Sequence, residues 1–223
     1  MFQCVSFSLV HFKPGTPLVR KHVSQSARNY VGMGSGFYES SNSNNRIPSV
    51  LKHIVDKLHE TGLLTRQPEI DVFVNPQACQ AVANSVPSFN HAGWKVREAG
   101  QPEYFKAPRS LHAKFIFSAN YRENSDLCNS AWLYLGSGNL TGPGFASQMA
   151  SETGNLEAGV VFTPESLRWK PAKGIPPQSV LTNLLPLQWE TDFNQNPGAW
   201  CGGMTCRTPR CNTAQRLWPI SFG

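Results

Sequence analysis

Short apolar runs alternate along the chain with apolar positions at helical spacing. Residues 5–12 read as a strand, broken by Pro14-Gly15, and Thr16 with Pro17 supplies the cap and first position of a helix over 17–27. The stretch YVGMGSGFY at 30–38 is apolar and glycine-rich, the composition of a buried strand with close neighbours. A polar loop over 40–46 follows. After Pro48, apolar residues at Val50, Leu51, Ile54, Val55 and Leu58 lie on one helical face, and Gly62 provides the C-terminal glycine. Residues 70–74 (IDVFV) predict a strand, 76–86 a second helix, and 94–98 a short strand. Two more strands are expected at 111–118 and 131–136, and EAGVVF at 157–162 closes the series.

This order predicts an α/β fold, a layered mixed β-sheet flanked by helices. Residues 1–165 are expected to form that domain. Over 166–223 the periodicity weakens and prolines accumulate, so a Pro/Gly-rich C-terminal extension is expected, packed on the domain or partly ordered.

Composition narrows the class. The 223 residues are 40% hydrophobic and 15% charged, with 18 Gly and 17 Pro, which excludes a disordered chain, a coiled coil and a collagen. No apolar run reaches the ~18 residues of a membrane span. The opening MFQCVSFSLVHF lacks the positive start and small-residue cleavage site of a secretory leader. A soluble, cytoplasmic protein with no membrane partner is expected. Lys and Arg number 20 against 14 Asp and Glu, a net charge of +6, which suits a polyanionic partner such as nucleic acid. Six cysteines are too sparse for a disulfide scaffold. Cys201, Cys206 and Cys211 are spaced C-x4-C-x4-C without a fourth ligand, so no metal or other cofactor is expected.

Candidate chemistry concentrates between residues 110 and 162. His112 and Lys114 stand two apart on an expected strand, so alternation points both to one face. A neighbouring strand runs into Gly136-Ser137-Gly138-Asn139, and a third begins at Glu157. Adjacent strands could therefore gather an imidazole, an ammonium, an amide with a hydroxyl, and a carboxylate. Such a set is complete for phosphoester displacement. A neutral imidazole attacks phosphorus, Lys114, Asn139 and Ser137 meet the phosphate oxygens, and Glu157 holds His112 in one tautomer. The small Gly136 and Gly138 let backbone approach the phosphate. Arg109, just before the strand, is a further candidate phosphate contact.

The series HxK, GSGNLT and NLEAGVVF resembles the phospholipase D superfamily, whose signature is HxK followed by GSxN. The likeness covers about residues 1–165 as one half of that fold. It implies that two HxK halves meet in one active site, one histidine as nucleophile and the other as acid. The aspartate common after HxK is replaced here by Ala119, as in members that use asparagine and a downstream glutamate instead. Asn139 and Glu157, with the insertion at 118–131, therefore place the resemblance nearest the nuclease and tyrosyl-DNA phosphodiesterase branch.

The resemblance implies a metal-independent phosphodiesterase on nucleic acid, DNA ahead of RNA, working through a covalent phosphohistidine. A single half implies a homodimer with a composite site, or a second HxK half from elsewhere. His11-Phe12-Lys13 followed by Gly34-Ser35-Gly36-Phe37 could be a relic of a second motif, with Phe37 where asparagine is needed; the alternative is a strand end and a strand interior. Other readings are end processing like that of tyrosyl-DNA phosphodiesterase, a phospholipid phosphodiesterase, a catalytically incomplete nucleic-acid-binding half, or a fragment of a two-half protein.

Overall fold

The computed structural model describes residues 3–5, 28–39, 46–75, 80–101, 107, 109, 111–122, 124–147 and 154–189. The helix expected over 17–27, the His11/Lys13 motif and the three C-terminal cysteines lie outside these residues. Of the first expected strand only residue 5 falls within them.

Among the described residues seven strands form one mixed sheet: β1 (Gln3–Val5), β2 (Arg28–Gly34), β3 (Glu69–Val74), β4 (Lys95–Glu98), β5 (Lys114–Arg122), β6 (Ser125–Gly136) and β7 (Gly159–Phe162). Their spatial order is β1-β7-β6-β5-β2-β3-β4. The β2-β3-β4 side is parallel, and β5, β6, β7 and β1 continue it antiparallel. The parallel side is built by crossovers: α1 (Ser49–Glu60) leads from β2 to β3, and α2 (Gln80–Ala83) with α3 (Val86–His91) leads from β3 to β4. This is the layered α/β sheet that the alternation predicts.

Both sheet faces are covered, which is why β2, β3 and β5 are buried along nearly their whole length. On the helix face, Val31, Met33, Val72, Val74, Val96 and Ile116 pack against Val50, Leu51, Ile54, Val55 and Leu58 of α1 and against Val86 and Phe89. On the other face, Tyr30, Phe73, Phe115 and Phe117 meet Leu167, Leu181, Leu185 and Leu187 from beyond β7. Trp169 and Trp189 pack edge-on against Tyr30, with centroids 5.3 Å away in each case. A buried ion pair fastens this layer: Arg97 Nε donates to Asp71 Oδ2 at 2.6 Å, and the same guanidinium donates to the Trp189 carbonyl at 2.5 Å. Burial raises the Asp71 carboxyl above its ordinary range even against the nearby Arg97 charge.

Element boundaries differ from expectation in several places: β5 begins at Lys114 rather than 111 and β7 at Gly159 rather than Glu157. The glycine-rich strand stops at Gly34, because the following residues turn toward the end of β6. Of the helix expected over 76–86, residues 76–79 lie outside the described residues; from Gln80 on the chain forms two short helices, with Pro87 in the first turn of α3 and the Ser85 hydroxyl donating to the Ala81 and Arg46 carbonyls. The 118–131 insertion is the outer half of a long hairpin, whose register continues through Asn120 opposite Asn129 to Arg122 opposite Ser125. Its irregularities, including Ser130 at φ 49°, and its polar side chains hide the alternation.

Candidate functional site

The parallel strands and β6 finish at the same end of the sheet where β5 and β7 begin. Register fixes this end: Gly34 lies opposite Phe115, Lys114 opposite Gly136, and Gly136 opposite Gly159. Loops leaving strand ends at one edge are a common place for chemistry because a rigid sheet holds them.

His112 is exposed, two residues ahead of β5 rather than within its ladder. Lys114 is the first residue of that strand and is only 6% exposed. Its Nζ lies 3.1 Å from His112 Nδ1. Burial lowers the Lys114 ammonium below its ordinary value, and the Glu157 charge partly offsets this. An ammonium on Nδ1 occupies that nitrogen's lone pair, so a neutral imidazole carries its proton on Nε2.

The GSGN turn is tied directly to β7. The Ser137 N–H donates to the Ala158 carbonyl at 2.9 Å, and the Ala158 N–H donates to Ser137 Oγ at 3.0 Å. The Ser137 hydroxyl in turn donates to Glu157 Oε2 at 2.5 Å, while Asn155 Nδ2 donates to Oε1 at 3.3 Å. Glu157 is thus a carboxylate held on both oxygens, and among the described residues neither bond runs to His112. Gly138 is buried where a Cβ would stand 2.1 Å from the Gly144 carbonyl oxygen and 3.1 Å from Glu157 Cγ. Asn139 is half-buried, with Oδ1 3.4 Å from Ser35 Oγ. Arg109 is exposed near this end, and its backbone N–H donates to Gln101 Oε1 at 2.9 Å.

The sheet therefore brings His112 to Lys114 and Ser137 to Glu157, with Gly138 and Asn139 in the same turn. Sequence reasoning did not single out Tyr134, whose ring lies under the turn. A Cβ on Gly136 would fall 1.9 Å from its hydroxyl, and one on Gly159 would fall 2.3 Å from its ring. Burial, and next the Glu157 charge, push the Tyr134 phenol up to about 12. Sequence reasoning read Gly34-Ser35-Gly36 as a motif relic or a strand interior, whereas Ser35 and Gly36 lie past the end of β2. Gly36 packs on the lead-in to β5, where a Cβ would be 3.0 Å from the Leu111 carbonyl oxygen and 3.5 Å from His112 Cα.

No family model and no curated sequence matches the chain. Among solved structures it is similar to yeast tyrosyl-DNA phosphodiesterase at 10% identity and a TM-score of 0.37, covering 61% of this chain and 40% of that one. Two mutant forms of the same yeast enzyme are similar at 7% and 9% identity, with TM-scores of 0.38 and 0.40. The first covers 61% of this chain and 40% of the other, the second 66% and 41%. The chain spans about two-fifths of the length of these neighbours. Among the described residues no helix is long and apolar enough to cross a membrane.

Proposed function

We propose that this chain is a metal-independent phosphodiesterase of the phospholipase D type that acts on nucleic acid, DNA ahead of RNA, through a phosphohistidine at His112. The observation that carries the reading is the meeting, at one sheet end, of His112 beside Lys114 with the Ser137–Glu157 pair and the Asn139 turn. Lys114 and Asn139 meet the non-bridging phosphate oxygens, with Ser137, Gly138 and Arg109 as further phosphate contacts. As the phosphate enters, the Lys114 ammonium moves from Nδ1 to a phosphate oxygen. The imidazole exchanges its proton with solvent from Nε2 to Nδ1, a tautomer favoured by the nearby Glu157 charge without a bond to the ring, and the Nε2 lone pair is free to attack.

The Nε2–P bond forms as the P–O bond to the leaving strand breaks, and the leaving oxygen takes a proton from a second imidazole. Water then attacks phosphorus, gives its proton back to that imidazole and releases His112. One water is consumed per bond cleaved. The second imidazole comes from another copy of the chain, giving a homodimer with a composite site. Phe37, 49% exposed, and Leu156, 83% exposed, sit beside Gly36 and Glu157 respectively and give this end the apolar margin that a partner copy would cover.

The test is a paired assay in EDTA on labelled single- and double-stranded DNA, with light scattering for mass. Wild type is expected to cleave as a dimer, and His112→Ala to lose about a thousandfold or more of that activity. Equal cleavage by the variant would refute the histidine mechanism, and a folded, inactive monomer would refute the homodimer.

A further inference from the structure

We infer that Ser35 is a positioning residue that sets the amide of Asn139; this rests on the reading of Asn139 as a phosphate ligand. Ser35 is the first residue past β2 and is 1% exposed. Its hydroxyl is the hub of the local contacts. Leu140 N–H donates to Oγ at 3.1 Å and Phe37 N–H at 3.4 Å, which occupies both lone pairs. The single hydroxyl proton lies toward the Phe37 carbonyl at 2.7 Å, with Asn139 Oδ1 a longer second acceptor at 3.4 Å.

This saturation gives the amide a direction. With no lone pair to spare, Ser35 can receive only the carbonyl side of Asn139, so Nδ2 is left with both hydrogens to donate. A flipped amide would set Nδ2 against a hydroxyl with no free acceptor and offer lone pairs to an anionic phosphate. Two further ties keep residues 35–39 alongside the turn: Tyr38 bridges Leu140 in parallel, and Gly142 N–H donates to Glu39 Oε2 at 2.8 Å. Thr141 caps the short π-helix that follows, Gly142–Ala146, by accepting from Gly144 N–H at 3.3 Å. The segment after β2 thus aligns a donor that belongs to the turn after β6.

The experiment is a double-mutant cycle of Ser35→Ala and Asn139→Ala on labelled DNA, with kcat and KM measured separately. The side-chain amide signal of Asn139, assigned by its loss in Asn139→Ala, is recorded by NMR alongside. Ser35→Ala is expected to lower kcat about tenfold with KM changed less than about twofold, and to have almost no further effect once Asn139 is alanine. In Ser35→Ala the Asn139 amide signal should move or broaden while the other amides stay put. Should that variant fail to fold, Ser35→Cys, which keeps the volume but donates weakly, replaces it. Effects that simply multiply, or an unmoved Asn139 signal, would overturn the inference. A wild-type protein that cleaves nothing would defeat the phosphodiesterase reading, and the amide signal would still decide the role of Ser35.

Discussion

Gly138 shows how little room the turn leaves. Its missing side chain lets the Gly144 carbonyl oxygen approach to where a Cβ would be 2.1 Å away, and both sides of that contact are backbone or a fastened carboxylate. Gly138→Ala must push the π-helix away from the turn. A loss of about 2–4 kcal/mol is expected by chemical denaturation, with Asn139 displaced and cleavage lost even where the protein still folds. Tyr134 sets a pH dependence. Its phenol is raised from 10.0 to about 12, so the folded state holds the proton more tightly than the unfolded chain does. That stabilisation is complete below pH 10 and is lost as pH climbs toward 12. Cys128, raised from 9.0 to about 12 by burial, acts in the same sense and begins earlier. Urea melts between pH 8 and 11 should show stability falling above about pH 9, by up to about 1.4 kcal/mol per pH unit for each proton involved. Tyr134→Phe with Cys128→Ala should reduce that fall, with Tyr30 and Tyr121, also raised by burial, sustaining part of it above pH 10; an unchanged slope would contradict it.

At the scale of elements, the segment that follows β7 is the layer most easily misjudged. Its prolines and weak periodicity leave open whether it packs on the domain or is partly ordered, and residues 167–189 close the aromatic face of the sheet with Leu167, Leu181, Leu185 and two tryptophans. Leucines spaced irregularly between turns carry no period, because each is placed by a separate loop rather than by a regular element. Ending the chain after residue 165 would uncover Phe115, Phe117 and Tyr30. Such a protein is expected to bind a hydrophobic dye strongly and to aggregate, whereas a monodisperse, dye-silent product would show the layer to be dispensable. α1 was legible because five buried side chains repeat at helical spacing on one polar-backed element. The HxK and GSGN stretches stood out because an imidazole, an ammonium, a hydroxyl and an amide at neighbouring strand ends suit phosphoester chemistry. The Ser35 strap was not, since a serine between two glycines says nothing about a turn one hundred residues away. The lead-in to β5 also eluded the pattern: alternation extends a strand back to 111, while the ladder starts at Lys114 and leaves His112 outside it.

For the whole molecule, charge and the sheet end combine. A net charge of +6 on a chain with few charges favours a polyanion at any basic face, and binding of DNA should weaken steeply between about 50 and 200 mM salt. Catalysis asks for more than attraction. His112, Lys114, Asn139 and Glu157 supply one imidazole, one cation, one amide and one carboxylate, so the account requires a second imidazole across a partner and a phosphorus atom carried on His112 between two half-reactions. The most direct measurement is therefore capture of that intermediate. DNA labelled on the phosphate that stays with the enzyme is mixed with the protein in EDTA and quenched in alkaline denaturant, where a phosphohistidine persists. Label is expected on the wild-type chain, located at His112 by peptide mass, and none on His112→Ala. Cleavage by wild type with no label on either protein at any quench time would contradict it.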